Sequence, residues 1–170
     1  MKIIDVGCGP RKIDGAFGID HFAYPGVDQV VDLNKGKWPI ETDSFDRVIS
    51  RHVIEHVEDI RSFMSEIHRI GKNGALVTIE TPHFSYLGSW SDPTHRAHLA
   101  SAWYKPFEKG QYLATQTGAF ELISTKVTFG KSWRNLIGKW LVKWRGLAKW
   151  EKNAFRYPAR EIITELRIIK

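Results

Sequence analysis

The sequence predicts an α/β fold on a mostly parallel sheet of about seven strands, with the early crossover helices missing or reduced. Three observations carry this. Short apolar runs recur, several ending in an acid. One segment between two such runs has helical spacing, and the first runs are joined by links too short for a helix. The 170 residues are 42% hydrophobic and 26% charged, which suits one soluble globular domain over residues 1–170.

The run 3–6 (IIDV) is apolar, broken by Asp5 and stopped by Gly7. Residues 16–20 (AFGID) and 29–32 (QVVD) have the same form, and 45–51 (FDRVISR) reads as a fourth strand. From Asp59 to Ile70, apolar Ile60, Phe63, Met64, Ile67 and Ile70 fall at helical spacing. Gly71-Lys72-Asn73-Gly74 ends that helix, with glycines where positive φ is expected. Residues 75–81 (ALVTIET), stopped by Pro82, then 120–129 and 161–170, supply the last strands. No internal repeat or low-complexity linker interrupts them.

Parallel neighbours normally need a crossover of about a dozen residues. Here residues 21–27 link the second strand to the third. Such a link must climb about 17 Å and step about 5 Å sideways, and seven extended residues reach roughly 23 Å. It is possible but taut. One sheet face then lacks its usual cover, which a Trp-rich segment or a second subunit is expected to supply.

The glycine pair in Gly7-Cys8-Gly9 lets backbone approach a ligand at the carboxyl edge of the sheet. Asp20, ending the next strand, is placed for ribose hydroxyls. The pattern G-x-G-x-x-G is absent, since Pro10-Arg11-Lys12 follows Gly9, so a dinucleotide is disfavoured.

The segments IIDVGCGP, GID, VVDL, FDRVISRHVIEHV and GKNGALVTIETP come in an order that resembles class I S-adenosylmethionine-dependent methyltransferases. The likeness runs over about residues 1–82. It implies a Rossmann-like sheet, S-adenosylmethionine as cofactor and S-adenosylhomocysteine as product. It further implies that Gly7 and Gly9 approach the methionine part while Asp5 organises the loop. Asp20 would take the ribose, Asp32 and the Leu33 backbone would meet the adenine, and His52 would lie along the cofactor. Cys8 belongs to the same loop, as a small residue that fits rather than a reactive thiol. Glu55, in the pair Glu55-His56, is expected to brace the loop beneath the cofactor. The chain departs from the family pattern in having no helix before the first strand and no room for one after it.

Residues 83–118, between the fifth and sixth strands, begin beside the expected methyl group and hold His83, Tyr86, Asp92, His95 and His98. Methyl transfer to a hydroxyl needs an oriented acceptor and removal of its proton, for which a neutral histidine held by a carboxylate is suited. PHFS followed by DPTH resembles small methyltransferases linked to sugar and cell-surface glycan work. This gives His83, Asp92 and His95 as catalytic candidates, with Arg51, Tyr86 and His98 as substrate contacts. The plain structural alternative makes Asp92 a turn starter and cap, and His83 a loop residue. Asp92, His95 and His98 have spacings that could meet on an ion, but no metal is expected.

The net charge of +6 favours anionic partners. From Gly130 to Arg160 there are nine Lys and Arg against one acid, Glu151. Within residues 130–158, Trp133, Leu136, Ile137, Trp140, Trp144 and Leu147 share a helical face, with Arg134, Arg145 and Lys149 turned away. Gly138 and Gly146 favour two pieces over one. The apolar face suits packing on the domain or a second subunit, peripheral contact with a membrane, or nucleic acid. One cysteine, no apolar leader and no membrane-length run give a cytoplasmic expectation, extending to the inner membrane surface.

The leading expectation is a methyltransferase acting on a hydroxyl of a sugar, glycolipid precursor or other small acceptor, with a homodimer covering the bare face. An RNA or protein methyltransferase is the enzymatic alternative, and a non-catalytic scaffold on the same fold is the other class.

Overall fold

The computed structural model describes residues 1–170, the side chain of Arg134 excepted. The strands are β1 Ile3–Val6, β2 Phe17–Asp20, β3 Gln29–Val30, β4 Phe45–Arg51, β5 Gly71–Pro82, β6 Ala119–Val127 and β7 Glu161–Ile169. They form one sheet in the order β3-β2-β1-β4-β5-β7-β6, parallel except that β7 lies antiparallel between β5 and β6. The helices are α1 Ile60–Ile70, α2 Leu87–Ser91, α3 Ala114–Thr117, α4 Trp133–Arg145 and α5 Leu147–Glu151. Among the described residues no helix precedes Ile60.

Asp59 caps α1 by accepting the Arg61 N–H at 2.9 Å. The helix lays Phe63, Met64 and Ile67 on one face of the sheet, against Ile4, Val48, Val77 and Leu166. Residues 99–118 complete that layer with Tyr104, Phe107 and Leu113, so the later part of the 83–118 segment is core cover. Gly71 corrects one expectation. Its φ is −80°, because α1 passes straight into β5, and positive φ falls on Gly74. Glycine is needed at 71 for room: a Cβ there would sit 2.3 Å from Ile168 Cδ1.

Among the described residues no helix lies on the opposite face. Pairing aligns Arg47, Leu76 and Arg167 in one row, Ile49, Thr78 and Glu165 in a second, and Arg51, Glu80 and Ile163 in a third. None is buried. Polar side chains tie the face together, as Arg167 to Glu121 at 3.0 Å and the Ser124 hydroxyl to Glu165 at 2.8 Å. Over β1 and β2, the loop after Gly9 does the work of the missing helix. Buried Asp5 accepts the Ile13 N–H at 2.9 Å, and Arg51 donates to both Asp5 and the Arg11 carbonyl at 3.0 Å. The loop lies so close that a Cβ on Gly18 would fall 2.4 Å from Lys12 Cδ.

The Trp-rich segment does not cover this face, contrary to expectation. It breaks at Gly146, where φ is 80°, while Gly138 stays within α4. Leu141, Val142 and Leu147 turn inward on Phe84, Val127 and Phe129 around buried Trp150. Trp133, Leu136, Trp140 and Trp144 point outward, 57–68% exposed. The side chain of Arg134, expected on the polar face, lies outside the described residues.

Candidate active site

β1 delivers Gly7 and Gly9 to the carboxyl edge of the sheet, both with positive φ. The Gly7 and Cys8 amides donate to the Ile19 carbonyl at 2.8 and 3.1 Å, which pins the turn over β2. A Cβ on Gly7 would lie 2.2 Å from Val53 Cγ2, so only glycine fits. Asp20, nearly buried, accepts the Gly9 N–H at 2.8 Å and the Phe22 N–H at 2.9 Å. Asp32 accepts the Asn34 N–H at 3.1 Å. That bond comes first in holding its carboxyl below the usual range, with burial opposing and Lys35 helping.

These residues line a cleft of about 510 Å³ that contains Gly7, Gly9, Asp20, Asp32, Leu33 and His52. Its volume is in the range of small-molecule sites. Asp5 is beneath the turn rather than in the cleft. Cys8 and Arg51 line an adjoining recess of about 410 Å³, shared with His52 and Glu80. Burial, then Asp5 and Asp20, push the Cys8 thiol up.

His52 follows β4 in the left-handed region, with φ 56°. Its ring faces three carboxylates: Glu55 at 3.4 Å, Glu80 at 3.6 Å and Glu161 at 3.9 Å. The Glu55 contact does most to raise its pKa. Burial opposes this, and the other two acids add to it, favouring the imidazolium. Glu55 itself is buried. One oxygen accepts the Thr81 hydroxyl at 2.9 Å, and its carbonyl accepts the Arg96 N–H at 2.7 Å, tying the ends of β4 and β5 to the loop after α2.

The catalytic candidates separate. His83 is fully buried against Trp150 and Phe84, and both nitrogens are engaged, Nδ1 with the Ser85 hydroxyl at 2.7 Å and Nε2 with Glu151 at 2.9 Å. It fastens α5 to β5 and does not reach the cleft, which corrects its expected role as base. Asp92 caps its own turn by accepting the Thr94 N–H at 2.8 Å and the Thr94 hydroxyl at 2.6 Å. His95 gives its Nδ1 proton to the Ser89 carbonyl at 2.8 Å, and its Nε2 is 3.9 Å from Asp92. His98 meets the Ser89 hydroxyl and stacks on Trp90 with centroids 3.6 Å apart, while the Tyr86 ring lies over Gly88. Neither lines the cleft. Asp92, His95 and His98 therefore do not converge.

A different histidine does reach the cleft. His56 and Thr94 both line it. The Thr94 hydroxyl spends its single proton on Asp92, so towards His56, at 2.9 Å, it can only accept. Nδ1 of His56 is then the protonated nitrogen and Nε2 carries the lone pair. No hydrogen bond engages that Nε2 among the described residues. Sequence reading noted His56 beside Glu55 without a catalytic role and passed over Thr94. The two are 38 positions apart, and only the Asp-x-Thr cap hinted that Thr94 was held. Two triplets have metal-ligand spacing, Glu55–His56–His95 and His52–Glu80–Glu161, each with its atoms within 4.8 Å.

Sheet order, the glycine turn at the edge of β1 and acids closing β2 and following β3 define a Rossmann-like cofactor-binding domain. A family model for a methyltransferase domain matches residues 1–148, and the chain belongs to that family, the class I S-adenosylmethionine-dependent methyltransferases. Its cofactor is S-adenosylmethionine. A methyltransferase from Mesorhizobium loti superposes with a TM-score of 0.61 at 15% identity, covering 98% of this chain and 90% of that one. A Haloferax volcanii chain solved with the Trm112 methyltransferase activator gives 0.64 at 17%, covering 99% and 83%. An Archaeoglobus fulgidus methyltransferase gives 0.60 at 15%, covering 98% and 85%. These likenesses show the fold. No curated protein matches.

Proposed function

We propose that the chain methylates a hydroxyl of a small acceptor, a sugar or glycolipid precursor, with His56 as the base. The chain of hydrogen bonds from Asp92 through Thr94 to His56, a cleft-lining residue whose Nε2 has no hydrogen bond among the described residues, carries the reading. Gly7 and Gly9 give the cofactor backbone access, Asp20 meets its ribose, and Asp32 with Leu33 borders its adenine. When bound, S-adenosylmethionine supplies an electrophilic methyl group on a sulfonium sulfur. As the acceptor oxygen gains the methyl, its proton passes to His56 Nε2. Nδ1–H stays on Thr94, so Asp92 fixes the tautomer through one intervening hydroxyl. A neutral amine acceptor makes no such demand for a base, which favours a hydroxyl.

The test measures S-adenosylhomocysteine release over a panel of sugar and lipid-linked acceptors, alongside calorimetric titration with S-adenosylmethionine. His56→Gln should lower kcat by about a hundredfold or more while cofactor affinity stays within about twofold. Unchanged kcat in that variant would remove His56 as base. A folded wild type that binds no cofactor would leave the scaffold reading standing.

A further inference from the structure

We infer that α4 is an in-plane membrane anchor, whose outward tryptophan face and basic flanks dock on an anionic lipid surface. The docking stands on its own evidence and does not depend on the chemistry proposed for the cleft.

The helix has two apolar faces. Leu141 and Val142 are used in the fold, on Phe84, Phe129 and Trp150. The second face, with Leu136, Trp140 and Trp144, is 57–61% exposed. A solvated helix does not need this second face, and large exposed apolar patches mark interaction sites.

Charge selects the occupant. Lys139, Lys143, Arg145, Lys149 and Lys152 are exposed beside the strip. The one acid between Gly130 and Arg160, Glu151, is committed to His83 and Ser101. A second copy docked through this face would set lysine against lysine. Stacked nucleic-acid bases would need open ring faces, yet Trp140 and Trp144 stack on each other at 5.1 Å and the Arg145 guanidinium sits 4.6 Å over Trp144. Indoles flanked by Lys and Arg suit the headgroup layer of an acidic bilayer. At 13 residues α4 lies on such a surface rather than crossing it.

α5 is held to His83 just past the carboxyl end of β5, the sheet edge where the cleft lies. Exposed Phe155 meets the Phe84 ring at 5.2 Å, and exposed Trp90 donates to the Phe84 carbonyl.

The experiment is co-sedimentation of the full chain with phosphatidylcholine vesicles, alone and with about one third phosphatidylglycerol. The wild type should bind the acidic vesicles, with a blue shift of tryptophan emission, at least about tenfold more tightly than the neutral ones, and less as salt rises. Trp140→Glu/Trp144→Glu and, separately, Lys139→Gln/Lys143→Gln should each weaken binding about tenfold or more while calorimetric cofactor affinity is unchanged. Wild type that stays in solution with acidic vesicles overturns the inference. So does vesicle binding that survives both double variants, or a dimer or RNA complex that the tryptophan variant abolishes while vesicle binding persists.

Discussion

Gly7→Ala tests how the cofactor turn is built. A residue with a Cβ at φ 70° costs about 1–2 kcal/mol in the left-handed region. The new methyl would also stand 2.2 Å from Val53 Cγ2, and forcing an extra methyl into packed surroundings costs about 1–3 kcal/mol. The two together come to about 2–5 kcal/mol, a large share of the 5–15 kcal/mol typical of whole domains. Val53→Ala separates the terms. It removes Cγ2, leaving the Val53 Cβ at 3.3 Å, which a few tenths of an ångström of relaxation accommodates. Alone it should destabilise by about 1–3 kcal/mol through lost packing. In the double variant the steric term vanishes and the backbone term remains, so urea unfolding should show the pair about 1–3 kcal/mol less damaging than the sum of the singles. Additivity within about 0.5 kcal/mol would refute the reasoning, because the backbone alone would then require glycine.

Arg51→Ala strips the partner from fully buried Asp5 and should cost about 3 kcal/mol in urea unfolding, with Arg51→Ala/Asp5→Asn recovering part of it. Burial alone would raise the Glu151 carboxyl, but bonds from His83 and from the Ser101 N–H and hydroxyl outweigh it and hold the carboxyl below the usual range. Its contribution is thus present at neutral pH and lost as pH falls through the lowered value, so Glu151→Gln should flatten the acid side of a plot of Tm against pH. Cys8, with its thiol pushed up by burial, should alkylate with iodoacetamide at least about tenfold more slowly than a free peptide thiol at pH 8. Chelation by EDTA should leave methyl transfer unchanged. A loss restored by added divalent metal would place an ion at Glu55–His56–His95 or at His52–Glu80–Glu161, and loss of that metal response in His56→Gln but not in Glu161→Gln would remove His56 as base.

Much of the fold was legible because short strands and one strongly periodic helix leave clear marks. FDRVISR is β4 to the residue, and α1 starts one residue after the capping Asp59. The boundary at Gly71 was misread because a glycine after a helix suggests a left-handed cap, whereas here it makes room for Ile168. The glycine turn and its acids were legible because their spacing is local. The base was not. His56 and Asp92 meet only through Thr94, across a fold that brings the end of β4 to the loop after α2. His83 misled because PHFS stands where chemistry is expected, and nothing local shows that Glu151 closes over it from 68 residues away.

The exposure of the bare sheet face is legible in the strands themselves. Strands buried on both faces read as continuous apolar runs, whereas strands with one wet face alternate. On its open side β4 carries Arg47 and Arg51 around Ile49, β5 carries Thr78 and Glu80 beside Leu76, and β7 carries Glu165 and Arg167 beside Ile163. Short links removed the helices, and the polar side chains in these rows make the exposed face tolerable in water. α4 shows the opposite imbalance. Its inward side is already packed, yet Leu136, Trp140 and Trp144 add an outward apolar face that the fold does not use. On the membrane reading the tryptophans supply the docking face, and the lysines around them set the sign of the charge it meets.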